Sequence, residues 1–141
     1  MALARILRRR IAVVAVIGPS MQPALTAGDR VLIRRARISD LRPGQIVVFE
    51  KPGDDGAWVT EPPCWPPGRR EWMIKRVAAI PGDCQPDAIM SATARTTKPA
   101  VPADKLVVLG DNEARSLDSR QIGYIPAERL LGIVLRHLAH R

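Results

Sequence analysis

The feature that most narrows the folds open to this chain is a set of short apolar runs with a period of two, each stopped by proline or glycine. "PGQIVVFEKP" (43–52), "EWMIKRVAAIPGD" (71–83), "KLVVLGDN" (105–112) and, more weakly, "DRVLIRR" (29–35) follow that pattern. Runs this short, rich in Val and Ile and bounded by turn residues, read as β-strands that reverse direction at each stop. "RLLGIVLRHLAHR" (129–141) fits a strand or an amphipathic helix, and Gly132 favours the strand. "EPPCWPPGRR" (61–70) holds four prolines and reads as an irregular surface loop inserted between strands. The expectation is a mostly β domain over residues 11–141, preceded by a basic segment, 1–10.

The first 21 residues, "MALARILRRRIAVVAVIGPSM", imitate a targeting signal, with Arg5, Arg8, Arg9 and Arg10 ahead of the apolar run Ile11 to Ile17. That run has seven residues. A membrane-spanning helix needs about 20, so no transmembrane span is expected. Cleavage of a secretory signal here would fall beside Ser20. Since five of the seven residues are Ile or Val, a buried β-strand is the simpler reading.

Composition excludes some functions. Two cysteines, Cys64 and Cys84, do not make a four-ligand zinc site, and the only histidines are His137 and His140, so no metal is expected. The two thiols are equally consistent with a bridge across the 71–83 strand and with free cysteines. A net charge of +8 predicts attraction to an anionic partner. Aromatic residues number only five, too few for a base-stacking platform, which favours an anionic membrane surface over nucleic acid.

Ser20, at the end of the first apolar run in "VIGPSMQPALTAGD", raises the question of nucleophilic chemistry. A serine hydroxyl needs a base, and both histidines lie in the last five residues. A lysine serves if burial lowers its pKa from about 10.4. Lys51, Lys98 and Lys105 have polar, turn-like surroundings. Lys75 differs, because the strand period places Met73 and Val77 on its own face. Taken alone, a lysine in a strand is more often a snorkelling edge residue than a base. "LGDNEARSLDSRQIGYIP" (109–126), taken alone, is a solvated turn.

Together, "GPSMQPAL", "GDRVLI", "PGQIVVF", "IKRVAAIPGD" and "LGDNEARSLDSRQIG", in that order from about Val13 to Gly132, resemble the type I signal peptidases, the Ser/Lys family that removes leader peptides. The resemblance implies a fold of two twisted antiparallel sheets, Ser20 as nucleophile and Lys75 as general base, with no cofactor. It implies that Ser116 orients the lysine amine, and that Asp118 with Arg120, and Asp111 with Arg76, form supporting ion pairs. Val16, Ile17, Met21, Leu25, Met73 and Ile74 align with the family's shallow pockets for small substrate side chains. Many bacterial members carry a serine two residues before the nucleophile as an oxyanion donor, where this chain has Gly18. The implied partner is a protein bearing a leader peptide, met at the extracytoplasmic face of a membrane. There the enzyme would be held peripherally or by an anchoring partner, with the basic ends as lipid contacts.

Other readings share these residues. A specialised maturation or pilin-processing peptidase would carry the same motifs. A self-cleaving repressor would also hold a Ser/Lys pair, but it places a helix-turn-helix domain before the protease part, and only 19 residues precede Ser20. A non-catalytic basic binding module would leave the ordered motifs unexplained.

Overall fold

The computed structural model describes residues 10–90 and 98–139. The basic cluster Arg5, Arg8 and Arg9, most of the Ala/Thr stretch 91–100, and the last two residues lie outside them. The described chain is a seven-stranded antiparallel sheet in the order β1-β2-β7-β3-β4-β5-β6. The strands are β1 (Ile11–Ala15), β2 (Arg30–Arg35), β3 (Ile46–Glu50), β4 (Trp72–Ala79), β5 (Lys105–Leu109), β6 (Ile125–Pro126) and β7 (Leu130–Leu138). One short helix, α1 (Ser119–Ile122), follows the motif-rich loop after β5.

β7 is what joins the expected sheets into one curled ladder. Its first half pairs with β3 and its second half with β2, and Gly132 is opposite both Val48 and Arg35. A Cβ at Gly132 would sit 2.3 Å from the Arg34 carbonyl oxygen, so the crossing point admits only glycine. Register shifts at Leu32/Ile33, Val48/Phe49 and Val77/Ala79 add the twist that lets the sheet curl.

Curling buries both faces of the central strands, which explains why "IVVF" is continuously apolar. Val47 and Phe49 enter one cluster with Met73, Val77, Leu106, Val108 and Ile133. Val48 points the other way, into a cluster with Val14, Val16, Val31, Ile33, Ile74 and Leu131. Each such fully buried side chain contributes about 1.5–3 kcal/mol by leaving water.

The first apolar run is not the buried strand expected. β1 lies at the sheet edge and pairs with β2 alone, so Val14 and Val16 are buried while Val13 is half exposed and Ile17 is 88% exposed. The proline-rich insertion, between β3 and β4, is pinned at its base. Arg70 and Arg129 each donate from Nη1 to Glu50 Oε2, at 3.0 and 3.1 Å, and to the Glu61 carbonyl, at 2.7 and 3.0 Å. Cys64 and Cys84 are exposed free thiols.

Candidate active site

Ser20 sits in the 16–29 loop that joins β1 to β2. The loop is a built structure because Met21 and Leu25 plunge into the core, at 1% and 3% exposure, and act as its anchors. The ladder also extends past β1, with the Val16 amide donating to the Asp29 carbonyl at 2.8 Å and the Gly28 amide to the Val16 carbonyl at 3.1 Å. Asp29 closes the turn by accepting from the Thr26 amide and hydroxyl.

Lys75 is in the middle of β4, opposite Val47, with the buried Met73 and Val77 on either side along its face. It is 4% exposed. Its Nζ lies 2.7 Å from Ser20 Oγ and donates to the Ile74 carbonyl at 3.2 Å. Burial lowers its pKa from 10.5 to about 8, and the negative charge of Asp118 offsets only part of that fall. At pH 7 roughly a tenth of such amines are neutral, against well under a thousandth for an unperturbed lysine. A neutral amine at hydrogen-bond distance from a hydroxyl can take its proton.

The loop after β5 backs this pair. The Asn112 amide donates to the Ser20 carbonyl at 2.9 Å, and Asn112 Nδ2 to the Pro19 carbonyl at 3.1 Å. Gly110 lies flat against the serine, where a Cβ would be 2.0 Å from Ser116 Oγ and 2.8 Å from the Ser20 carbonyl oxygen. Asp118 is wholly buried and caps α1, accepting from the Arg120 amide at 3.1 Å while its own amide donates to Gln121 Oε1 at 3.0 Å.

A sequence model of the family described as "Signal peptidase, peptidase S26" matches residues 1–84 and 85–138. The chain belongs to that family. It is similar to the protein named "Probable signal peptidase I-2" of Synechocystis sp., at 32% identity over 131 residues, covering 80% of this chain and 56% of that protein. It is similar to "Mitochondrial inner membrane protease subunit 1" of Schizosaccharomyces pombe, at 31% over 115 residues, covering 77% and 61%. "Signal peptidase I" of Leptolyngbya laminosa is 32% identical over 131 residues, covering 80% and 61%. The chain thus spans between 56% and 61% of the length of these relatives.

In this signal peptidase family chain both expected ion pairs are formed. Arg120 grips Asp118 through Nε at 3.0 Å and Nη2 at 2.7 Å, and Arg76 grips Asp111 through Nε at 2.8 Å and Nη2 at 2.7 Å. Burial would raise the Asp118 pKa, but the bonds from Arg120, the Gly110 amide and the Ser116 hydroxyl outweigh it and hold the carboxyl at about 2. Ser116 differs from expectation. Among the described residues Nζ of Lys75 bonds only to Ser20 and Ile74, and the Ser116 hydroxyl donates instead to Asp118 Oδ2 at 2.7 Å.

A groove of about 690 Å³ leads to the Ser20/Lys75 pair. Of the residues aligned with the family's pockets, Val16, Ile17, Met21, Met73 and Ile74 line it, but Leu25 does not, because that side chain is spent anchoring the loop. The wall also includes Val13, Trp72 and Leu117, and from the proline-rich loop Pro67 and Arg70. Across the sheet order, β1 and β4 run in the same sense, each toward the pair. Trp72–Lys75 pair with β3 alone, β5 joining only from Arg76, so this stretch and β1 each keep one unpaired edge. Among the described residues no helix is long and apolar enough to cross a membrane.

Proposed function

We propose that the chain is the catalytic part of a serine endopeptidase that cuts leader peptides after small side chains, with Ser20 as nucleophile and Lys75 as general base. The observation that carries the reading is the 2.7 Å approach of Lys75 Nζ to Ser20 Oγ by an amine whose pKa is lowered to about 8. The leader peptide lies extended in the groove as an added strand, satisfied by the open edges of β1 and of Trp72–Lys75. Neutral Lys75 takes the hydroxyl proton as Ser20 Oγ attacks the scissile carbonyl. The resulting ammonium returns that proton to the leaving amine, and an ester to Ser20 remains. Water, deprotonated by the same amine, then attacks the ester, and the proton goes back to Ser20 as the peptide acid departs. The Ser20 backbone N–H stabilises the oxyanion in both halves of the reaction.

Asp118 and Arg120 support this chemistry from below. Asp118, held in its charged form by Arg120, raises the Lys75 pKa by less than burial lowers it, so desolvation dominates and the amine stays low. Ser116 sets the direction of Asp118 and acts on the lysine through it. The enzyme works at a membrane surface on the extracytoplasmic face, drawn there by its basic residues and held peripherally or by an anchoring partner.

Incubation with candidate leader peptides and mass spectrometry of the products tests the activity and gives the cut site. Ser20→Ala, which removes one oxygen, abolishes cleavage while the melting temperature moves by no more than a degree or two. Comparable cleavage by that variant overturns the reading.

A further inference from the structure

Asn112 holds the nucleophile's backbone from two directions, and this has a consequence for the oxyanion. Its Nδ2 donates to the Pro19 carbonyl at 3.1 Å, and its amide donates to the Ser20 carbonyl at 2.9 Å. The Gln22 amide donates to the same Pro19 oxygen, also at 3.1 Å. The Pro19 carbonyl and the Ser20 N–H belong to one peptide unit, and that unit is trans. In a trans unit the two groups point to opposite sides of the chain. Tethering the oxygen toward the loop after β5 therefore turns the Ser20 N–H away from it. That N–H has no acceptor among the described residues, and Ser20 itself lines the groove.

We infer that Asn112 is a positioning residue that aims the Ser20 N–H at the substrate's oxyanion. The inference rests on the Ser20/Lys75 reading of the site. Two features make the aim matter. Gly18, at φ +78°, has no side chain to contribute a donor beside the serine, so the single N–H carries a larger share of the stabilisation. The two bonds accepted by the Pro19 oxygen also polarise the amide, which strengthens its N–H as a donor. Because an oxyanion exists only along the reaction path, losing the tether lowers turnover and leaves ground-state binding alone.

The test is steady-state kinetics of Asn112→Ala and Asn112→Asp on a fluorogenic leader peptide with alanine before the cut, alongside inhibition by the matching peptide boronic acid. Asn112→Asp keeps the shape and the backbone bond but puts an ionised oxygen where the donor was, so it removes the tether without a cavity while its charge raises the Lys75 pKa; Asn112→Ala removes the tether without adding charge, and melting temperatures verify the packing of both. The expected result is a fall in kcat of roughly 10- to 100-fold in both variants, below the full loss of one oxyanion donor. On the high-pH plateau KM stays within about twofold and boronic acid affinity falls in parallel with kcat/KM, and in Asn112→Ala the pH midpoint stays where it is in the parent. Parental kcat in Asn112→Asp overturns the inference, as does a lower kcat with unchanged boronic acid affinity or a displaced pH midpoint in Asn112→Ala. Ser20→Ala run beside them separates the two levels: an active Ser20→Ala sinks the nucleophile assignment, whereas an inactive Ser20→Ala with an undiminished Asn112→Asp sinks the tether alone.

Discussion

The Ser116 hydroxyl donates its hydrogen bond to Asp118 Oδ2 at 2.7 Å and leaves Lys75 to Ser20. Asp118 thereby becomes the node on which the back of the site is organised. It accepts from Ser116, from the Gly110 amide at 2.8 Å, and from Arg120 through its amide, Nε and Nη2. A carboxylate so surrounded keeps its charge down to a pH of about 2. It lies near enough to Lys75 to hold the amine slightly higher than burial alone would leave it.

Asp118→Asn tests that arrangement in two ways. Removing the negative charge removes an influence that raises the Lys75 pKa, so the midpoint of the pH–rate curve moves below that of the parent. The substitution also leaves Arg120 with one weak partner in a mostly buried place, at a cost of about 3 kcal/mol or more. In the parent, the Asp118 contribution to stability is complete above pH 4 and is lost as pH falls toward 2, since the folded pKa is below the unfolded one. Urea melts of the two proteins at pH 7 and at pH 2.5 measure this, and the gap between them narrows at the lower pH.

Gly110→Ala is expected to abolish the proposed cleavage without altering the Ser20 or Lys75 side chain. The new methyl group would meet Ser116 Oγ at 2.0 Å and the Ser20 carbonyl oxygen at 2.8 Å, one of them backbone. The loop after β5 must lift, which costs about 1–3 kcal/mol of overpacking and releases the Asn112 bonds to Pro19 and Ser20. Thermal melting together with kcat measures both effects, and a variant with parental kcat contradicts the close packing described.

The strands were legible from local pattern, and the proximity of Ser20 to Lys75 from the order of the motifs. Short Val- and Ile-rich runs near prolines and glycines mark β2 to β5, alternating in some and continuous where both faces are buried, and the ordered motifs single out Ser20 and Lys75. What the sequence hides depends on distant partners. Ile11–Ala15 has the composition of a buried strand, yet its exposure is decided by its place at the sheet edge, which β7 determines by pairing with β2. Leu25 looks like a pocket residue until the core beneath the loop is seen. β6 is two residues long and carries no periodic signal. Glu50, at the end of "IVVFE", is buried only because arginines from positions 70 and 129 converge on it. Asn112 was visible within a turn motif, but its role needs the trans geometry of a peptide 93 residues earlier.

The Glu50 cluster gives a prediction about the proline-rich loop. Arg129 is 4% exposed, pairs with Glu50 and Glu128, and stacks its guanidinium 5.7 Å from the Trp58 ring centre. Arg129→Met leaves the buried Glu50 with Arg70 as its single cation and frees the Glu61 carbonyl on one side. The expected outcome is a loss of about 3–5 kcal/mol and faster proteolysis confined to residues 51–71. Limited proteolysis with mass mapping of the fragments checks it, and unchanged cleavage there contradicts the pinning role.

Lys75 itself provides the test in which activity and stability move in opposite directions. Cleavage rises with pH to a plateau with its midpoint near 8, because only the neutral amine accepts the Ser20 proton. Lys75→Arg is inactive at every working pH, since a guanidinium does not give up its proton. Lys75→Met is equally inactive, yet it is the more stable protein. Below pH 8 the folded parent bears a buried ammonium that the unfolded chain keeps in water, and the fall from 10.5 to about 8 corresponds to roughly 3 kcal/mol. Between pH 8 and 10.5 the folded state binds fewer protons than the unfolded one, so the parent gains stability as pH rises and the advantage of Lys75→Met shrinks toward zero. Denaturant midpoints of both proteins at pH 7 and pH 10 measure the difference. A structural ion-pair lysine would give the reverse pattern, with Arg tolerated and Met destabilising, so an active Lys75→Arg removes the amine from the mechanism.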